Sequence, residues 1–316
     1  RNVLTNVIKQ YTDQVVTQFG SNINIELSKS MEDANSFIFS SIVQDNFTNY
    51  SNLEIYDRIT LHNDISRDMT YRTSQNNSIA DMIFYPASGD SPIYVGAKDF
   101  GIPYDELNVI FSEEPENYKW YIDESGKAAY ARKGKNINSG ADLGNLFISI
   151  KPESINSHFS TLELGQSVDL LFITDQGQVL YSNRDDIARG SIYPYEPLIE
   201  KINEYYESDL KSSSFKININ GESECNYYKI DKTPFYVVTI TPYSFFYTAS
   251  NVIGKQIILI AVVGLLLSII LAFAISGSIS NPLSKLVNLM RKAKQGDLTE
   301  VVTDKSRDEI GEVISN

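Results

Sequence analysis

The longest apolar run lies between Gln256 and Asn281, where no residue is charged, and its core from Ile257 to Ile275 is almost wholly aliphatic. At 1.5 Å per residue that core spans about 28 Å as a helix, close to the thickness of a bilayer's hydrocarbon interior. Core helices of soluble proteins are rarely apolar over such a length. The pattern predicts a transmembrane helix over residues 256–277. Most of the chain precedes it, which is the layout of a receptor with a large sensing domain and the start of a transmitter.

A second pattern opens the chain. Leu4, Ile8, Tyr11, Val15, Phe19, Ile23, Leu27, Met31, Ala34 and Ile38 recur at spacings of three or four. Such spacing places them on one face of a helix, so residues 1–45 are expected to form a spine, with Gly20 its weakest point. Strand texture follows. Ile79–Pro86, Pro92–Lys98, Lys127–Arg132 and Asn145–Lys151 read as strands, and Pro152 opens a short helix toward Phe159. Val168–Thr174 and Gln178–Ser182 flank the turn Asp175-Gln176-Gly177 as a hairpin. A helix follows Pro197, and Ser213–Ile219, Cys225–Ile230 and Phe235–Thr241 supply three more strands. The fold class is α+β: a spine helix with two antiparallel-sheet modules side by side, membrane-distal (46–164) and membrane-proximal (165–250), which fit residues 1–250 better than one domain.

Beyond the apolar run, Ile279, Leu283, Leu286, Met290 and Ala293 are spaced 4, 3, 4 and 3 apart, a seam suited to a helical bundle. That helix should stop at Gln295-Gly296-Asp297, and another should start near Asp308-Glu309. Pro282 removes an N–H where the two helices meet and is expected to allow a bend.

Charge sets orientation and excludes partners. Lys285, Arg291, Lys292 and Lys294 follow the span, whereas only Lys255 lies close before it. By the positive-inside rule residues 1–255 are extracytoplasmic and 278–316 cytoplasmic. A first transmembrane helix upstream of Arg1 is expected to have served as signal anchor, giving the parent two passes. Lys/Arg and Asp/Glu balance after Ile257, so the outer part carries the whole net charge of −13. An acidic ectodomain has no electrostatic reason to bind nucleic acid. Cys225 is the only cysteine, which rules out an intrachain disulfide, and two histidines with one cysteine do not make a structural zinc site. No metal and no cofactor are expected. His62 and His158 stand alone, no histidine follows them, and no phosphate-binding glycine loop is present. No catalytic residue is assigned, and these residues are not expected to form an enzyme.

Three motifs behind the apolar run carry a family resemblance: Asn281-Pro282-Leu283, then Gly296-Asp297-Leu298, then Asp308-Glu309-Ile310-Gly311. In order and spacing they resemble the HAMP signalling module of bacterial receptors, here ending within its second helix. The resemblance implies signalling roles for Pro282, Gly296, Asp297, Glu309 and Gly311. The outer part resembles a double Cache sensor, a long helix followed by two PAS-like modules, and Ile173–Leu180 is similar to that family's hairpin. Leu286–Ala293 and Tyr11–Asn24 are similar to YesM-type sensor histidine kinases. Methyl-accepting chemotaxis receptors share the HAMP motifs and often the Cache domain, and are the alternative. Either parent implies a homodimer whose output domain addresses a response regulator or chemotaxis proteins.

Receptors of this resemblance bind small polar ligands in the distal module: a sugar, an amino acid or another metabolite. The candidates are Tyr94, Asp99, Trp120, Tyr121, Asp123, Tyr130 and Arg132, because aromatic faces stack while Asp and Arg make charge-assisted hydrogen bonds. The amino-acid-binding Cache group has an Arg two residues before its Trp-Tyr pair, and here Tyr118 holds that place. A second class remains open, an interaction ectodomain without a small ligand. An enclosed polar pocket would support the first class; a solid core with an exposed apolar patch would support the second.

Overall fold

The computed structural model describes residues 2–160, 168–206, 212–219 and 221–296. They divide into a sensor body, Arg1–Tyr247, and a second unit that begins at Thr248.

Helix α1 (Asn2–Ile38) runs without a break for about 55 Å. Its buried face includes Val16, Ile23, Leu27, Ala34 and Phe37. Tyr11 departs from the expected stripe: it is 54% exposed, and the neighbouring Thr12 is buried instead. The Thr12 hydroxyl donates to the Lys9 carbonyl and accepts from Asn226, so a polar residue is satisfied there. The side chains of Leu4 and Ile8 lie outside those described. Gly20 does not weaken the helix. It lets the spine approach the proximal sheet, because a Cβ at this position would sit 2.2 Å from the Tyr228 ring.

Helix α2 (Ser41–Asn46) and a 3-10 turn lead to α3 (Ile55–Gln75), which the apolar pattern did not signal. It buries only Leu61, Ile65 and Met69, a single file of residues four apart. The distal module follows as β1 (Ile79–Pro86), β2 (Ile93–Val95), α4 (Tyr104–Glu113), β3 (Tyr118–Ile122), β4 (Ala128–Lys135), β5 (Asp142–Ile150) and α5 (Pro152–Ser160). The proximal module comprises β6 (Asp169–Thr174), β7 (Val179–Ser182), α6 (Glu196–Tyr206), β8 (Ser212–Asn218), β9 (Glu222–Lys229) and β10 (Phe235–Pro242). Strand order is β2-β1-β5-β4-β3 in one sheet and β7-β6-β10-β9-β8 in the other, the same arrangement twice.

The two sheets share a core. Leu27 and Ile38 of the spine cluster with Phe84, Trp120 and Ile148 of the distal sheet and with Phe172, Phe235 and Val237 of the proximal one. Successive aromatic contacts join the modules: Tyr130 to Trp120 at 5.1 Å, Trp120 to Phe235 at 5.2 Å, and Phe235 to Phe172 at 5.3 Å between ring centroids. A polar tie reinforces them, since Glu26 of the spine accepts from Ser78 and contacts His158 of α5.

At the other end of the sensor body, Glu224 of β9 bonds to both chain-entry and chain-exit helices. Its carboxylate lies 2.5 Å from Lys9 Nζ of α1, and Tyr243 at the start of α7 (Tyr243–Ile275) donates to it at 2.7 Å. Burial alone would raise this carboxyl, but hydrogen bonds from Lys9 and Tyr243, with the Lys9 charge, hold it below the usual glutamate range. A lowered carboxylate stabilises the fold above its unfolded pKa and loses that contribution as pH falls through the folded value. Lys9 is 45% exposed, which screens the pair. Glu224→Gln is therefore expected to cost about 1–2 kcal/mol at pH 7, and less below about pH 4. Urea unfolding of the two proteins at both pH values checks this; an equal difference at pH 7 and below pH 4 would refute it.

In the second unit α7 continues as the apolar helix, and Gly254–Ile275 is long and apolar enough to cross a membrane. A π-helical turn (Ser276–Ser280) then leads into α8 (Asn281–Lys294), with Pro282 in its first turn. Where the bend is expected, Ser280 and Asn281 keep helical dihedral angles. The Asn281 N–H reaches back five residues to the Ser276 carbonyl. Gly296, at φ 88°, ends the helix as expected, and its N–H bonds to the Ala293 carbonyl. Asp297, Glu309, Gly311 and the helix expected near Asp308 lie outside the described residues.

Candidate ligand-binding site

The face of the distal sheet turned away from the spine is filled. Ile83, Ala129, Ala131 and Phe147 of the sheet pack against Phe100, Tyr104, Leu107 and Phe111 from α4 and its approach. Beside them lies a buried carboxylate that sequence reasoning missed. Asp81 accepts from the Lys98 and Asp99 N–H groups, the Ser149 hydroxyl and the Tyr104 hydroxyl. Gly96, at φ 120°, leaves room for it, because a Cβ would come within 2.4 Å of Asp81 Oδ1. Burial raises the Tyr104 phenol well above its ordinary value.

The seven candidate residues divide by location. Along β3 alternate side chains point to opposite faces. Trp120 lies on the spine side with Tyr130, its cross-strand partner, and Tyr121 lies on the α4 side edge-on to Phe111. Burial pushes the phenols of Tyr121 and Tyr130 up to about 12. Arg132 stands opposite Tyr118 across the same pair of strands. Trp120 Nε1, Tyr121 Oη and Arg132 Nε are buried without a hydrogen-bond partner. Buried polar atoms without a partner are uncommon in folded proteins.

Asp123 organises a turn. It is buried in the β3–β4 turn, where it accepts from the N–H groups of Gly101, Ser125 and Lys127 and from the Ser125 hydroxyl. Burial opposes its ionisation, but these bonds win and hold the carboxyl below its ordinary value. Asp99 is exposed and ion-paired with Lys127 at 2.7 Å. Tyr94 is half exposed on β2, with Lys98 Nζ 3.7 Å from its ring centroid. Trp120 and Tyr121 alone among the seven border an open groove of about 960 Å³ between the outer edge of β3 and the proximal module. Residues far along the chain complete it, notably Gln178, Lys229, Lys232 and Tyr236.

Comparison with known proteins agrees with this architecture. Residues 274–316 match the HAMP domain. The extracellular domain of a protein assigned as a histidine kinase, rpHK1S-Z16, superposes with a TM-score of 0.53 at 10% identity, covering 75% of this chain and 95% of that one. Methyl-accepting chemotaxis protein X superposes at 0.52 and 10% identity, covering 77% and 100%. By sequence, a protein assigned as a methyl-accepting chemotaxis protein in Bacillus thuringiensis subsp. konkukian (strain 97-27) is 30% identical over 129 residues, 40% of this chain. The chain spans only about a fifth of that relative's length.

The sensor body thus has the fold of solved extracellular sensor domains, and behind it in the chain come a helix long and apolar enough to cross a membrane and a HAMP domain. One chain therefore joins a double Cache fold to a HAMP domain.

Proposed function

We propose that this chain senses a small polar ligand outside the cell and transmits the event across the membrane to a chemotaxis output. The observation that carries the transmission reading is the HAMP domain immediately behind the apolar helix. The relative matched at 30% identity supports a chemotaxis output, and the likeness of Leu286–Ala293 to YesM-type sensors supports a kinase output as the second reading. Residues 1–255 face outward and 278–316 inward, with a second pass in the parent. The parent receptor in membrane vesicles distinguishes the outputs. Stimulation of an added chemotaxis kinase is expected; phosphorylation of the receptor itself from ATP would establish the kinase reading instead.

Ligand sensing is assigned to the outer edge of β3, where Trp120 and Tyr121 meet the groove. Their buried unpaired polar atoms support this placement. The filled face beneath α4 argues against a ligand at that face, so the distal module contributes an edge.

The receptor acts as a homodimer. In α8 Leu283 is 50% exposed and Met290 67% exposed, on the seam expected for a bundle. A parallel pair of such helices, each joined to a second HAMP helix, would bury that face. Single cysteines at Leu283 or Leu286 are expected to crosslink between subunits several-fold faster than at Ser284 or Lys285. Cys225 is buried and gives little background. Equal rates at all four positions would dismiss the bundle.

A further inference from the structure

The groove beside Trp120 draws its lining from both faces of β3, Tyr118 and Trp120 on one and Lys119 and Tyr121 on the other. It therefore follows the outer edge of that strand, which has no neighbouring strand among the described residues. Asp123 N–H bonds to the Lys127 carbonyl, and the Asn117 carbonyl accepts from Lys133. Antiparallel partners alternate, so the odd positions of β3 face β4. The backbone N–H and C=O groups of Tyr118, Trp120 and Ile122 then point outward along the groove. Gln178 Nε2 donates to the Asp123 carbonyl at 2.8 Å and links the proximal module to the end of β3.

Two cations stand on the proximal wall. Lys229 is half-buried at the end of β9, its Nζ 4.1 Å from the Tyr236 ring centroid. Lys232 lies in the β9–β10 turn at φ 58°, a left-handed conformation that glycine or asparagine adopts more cheaply. The other charged groups of the lining are Asp175, Glu116 and Lys119, and Lys119 pairs with Glu114. A wall with two lysines, facing an edge that offers N–H donors and aromatic side chains, suits one chemical class.

We propose that the groove takes a small organic anion, a carboxylate on a planar apolar body. Lys229 and Lys232 hold the carboxylate, and the edge of β3 with its aromatic side chains holds the body. The inference rests on the reading of β3 as ligand-facing and adds the ligand's charge and the proximal module's contribution. Because the two walls belong to different modules, occupation bears on both at once.

A pH dependence follows. Burial lowers the Lys229 ammonium to about 8, while Asp175 opposes the shift. Tyr236, Lys232 and, across the groove, Tyr118, Tyr121, Lys119 and Glu116 are the other titratable groups of the lining. An anion favours the charged amine, so binding is strongest below pH 8, weakens as pH rises through it, and takes up a proton near it.

The test uses the whole chain in lipid nanodiscs. Benzoate and indole-3-acetate are the probes, with benzamide and indole-3-acetamide as neutral matches, each at about 10 mM to fill millimolar sites. Acetic-anhydride labelling of Lys229 is read by peptide mass spectrometry. At least one carboxylate is expected to slow labelling by about fivefold or more while its amide does not. Lys232→Gln should raise the carboxylate concentration needed for protection by about tenfold, and Lys135→Met, on an exposed end of β4, should leave it unchanged. Equal protection by amide and carboxylate would overturn the anion class while retaining β3 as ligand-facing. No protection by any of the four would overturn both.

Discussion

Trp120→Ala is expected to destabilise the sensor body by about 3–5 kcal/mol, lowering its melting temperature by about 10 °C. Trp120 is wedged between Tyr130 of its own sheet and Phe235 of the other, so truncation opens a cavity where the modules meet. Trp120→Phe should cost much less, because it keeps a ring and deletes an indole N–H that has no partner. Denaturant unfolding of both variants gives the comparison, and a loss below about 1 kcal/mol for the alanine variant would contradict the shared core. Any weakened ligand response in Trp120→Ala must be separated from this loss of packing. Tyr121, outside the bridge, is the cleaner position for probing recognition.

Gly20→Leu should be nearly as damaging. A leucine Cβ alone would overlap the Tyr228 ring at 2.2 Å, and the rest of the side chain has to displace the ring or the spine. Overpacking costs typically about 1–3 kcal/mol, and here the contact is with the ring's base rather than its tip. Glycine is a poor helix former, so an uncrowded helical site would gain about 1 kcal/mol from a better residue. The sign of the measured change decides whether packing or propensity rules the position. Tyr228→Ala should recover much of the loss in the double variant, a coupling that a double-mutant cycle detects.

The apolar run, the spine and the paired sheets were legible because each repeats a single period over many residues. Helix α3 was not, since Leu61, Ile65 and Met69 leave most of its circumference polar and no stripe two residues wide develops. Strand β3 was hidden by its own chemistry: Trp120 and Tyr121 look like ligand-binding residues, yet adjacent strand positions face opposite sides. The same alternation explains why the candidates disperse. Asp123 fits a turn and Asp99 a surface ion pair, roles that short acidic side chains fill in many loops. Lys229 and Lys232 gave no signal because the groove forms only when strands distant in the chain come together. Asp81 escaped for a related reason, as its donors belong to a loop and to β5.

The π-helical turn at Ser276–Ser280 has a geometric consequence for everything below it. An i to i+5 bond accommodates one more residue than an α-helical turn, and each residue is worth about 100° of rotation. The Leu283–Met290 seam is therefore set about 100° away from the azimuth that an unbroken helix would give it. Pro282 has no N–H to offer the Ser278 carbonyl, so the wider winding falls where an α-helical ladder would already lack a rung. Rewinding those five residues as α-helix would swing the seam like a key in a lock, with no change in the length of chain and only a small axial step. For a bundle that meets its partner along one narrow face, azimuth decides which side chains touch.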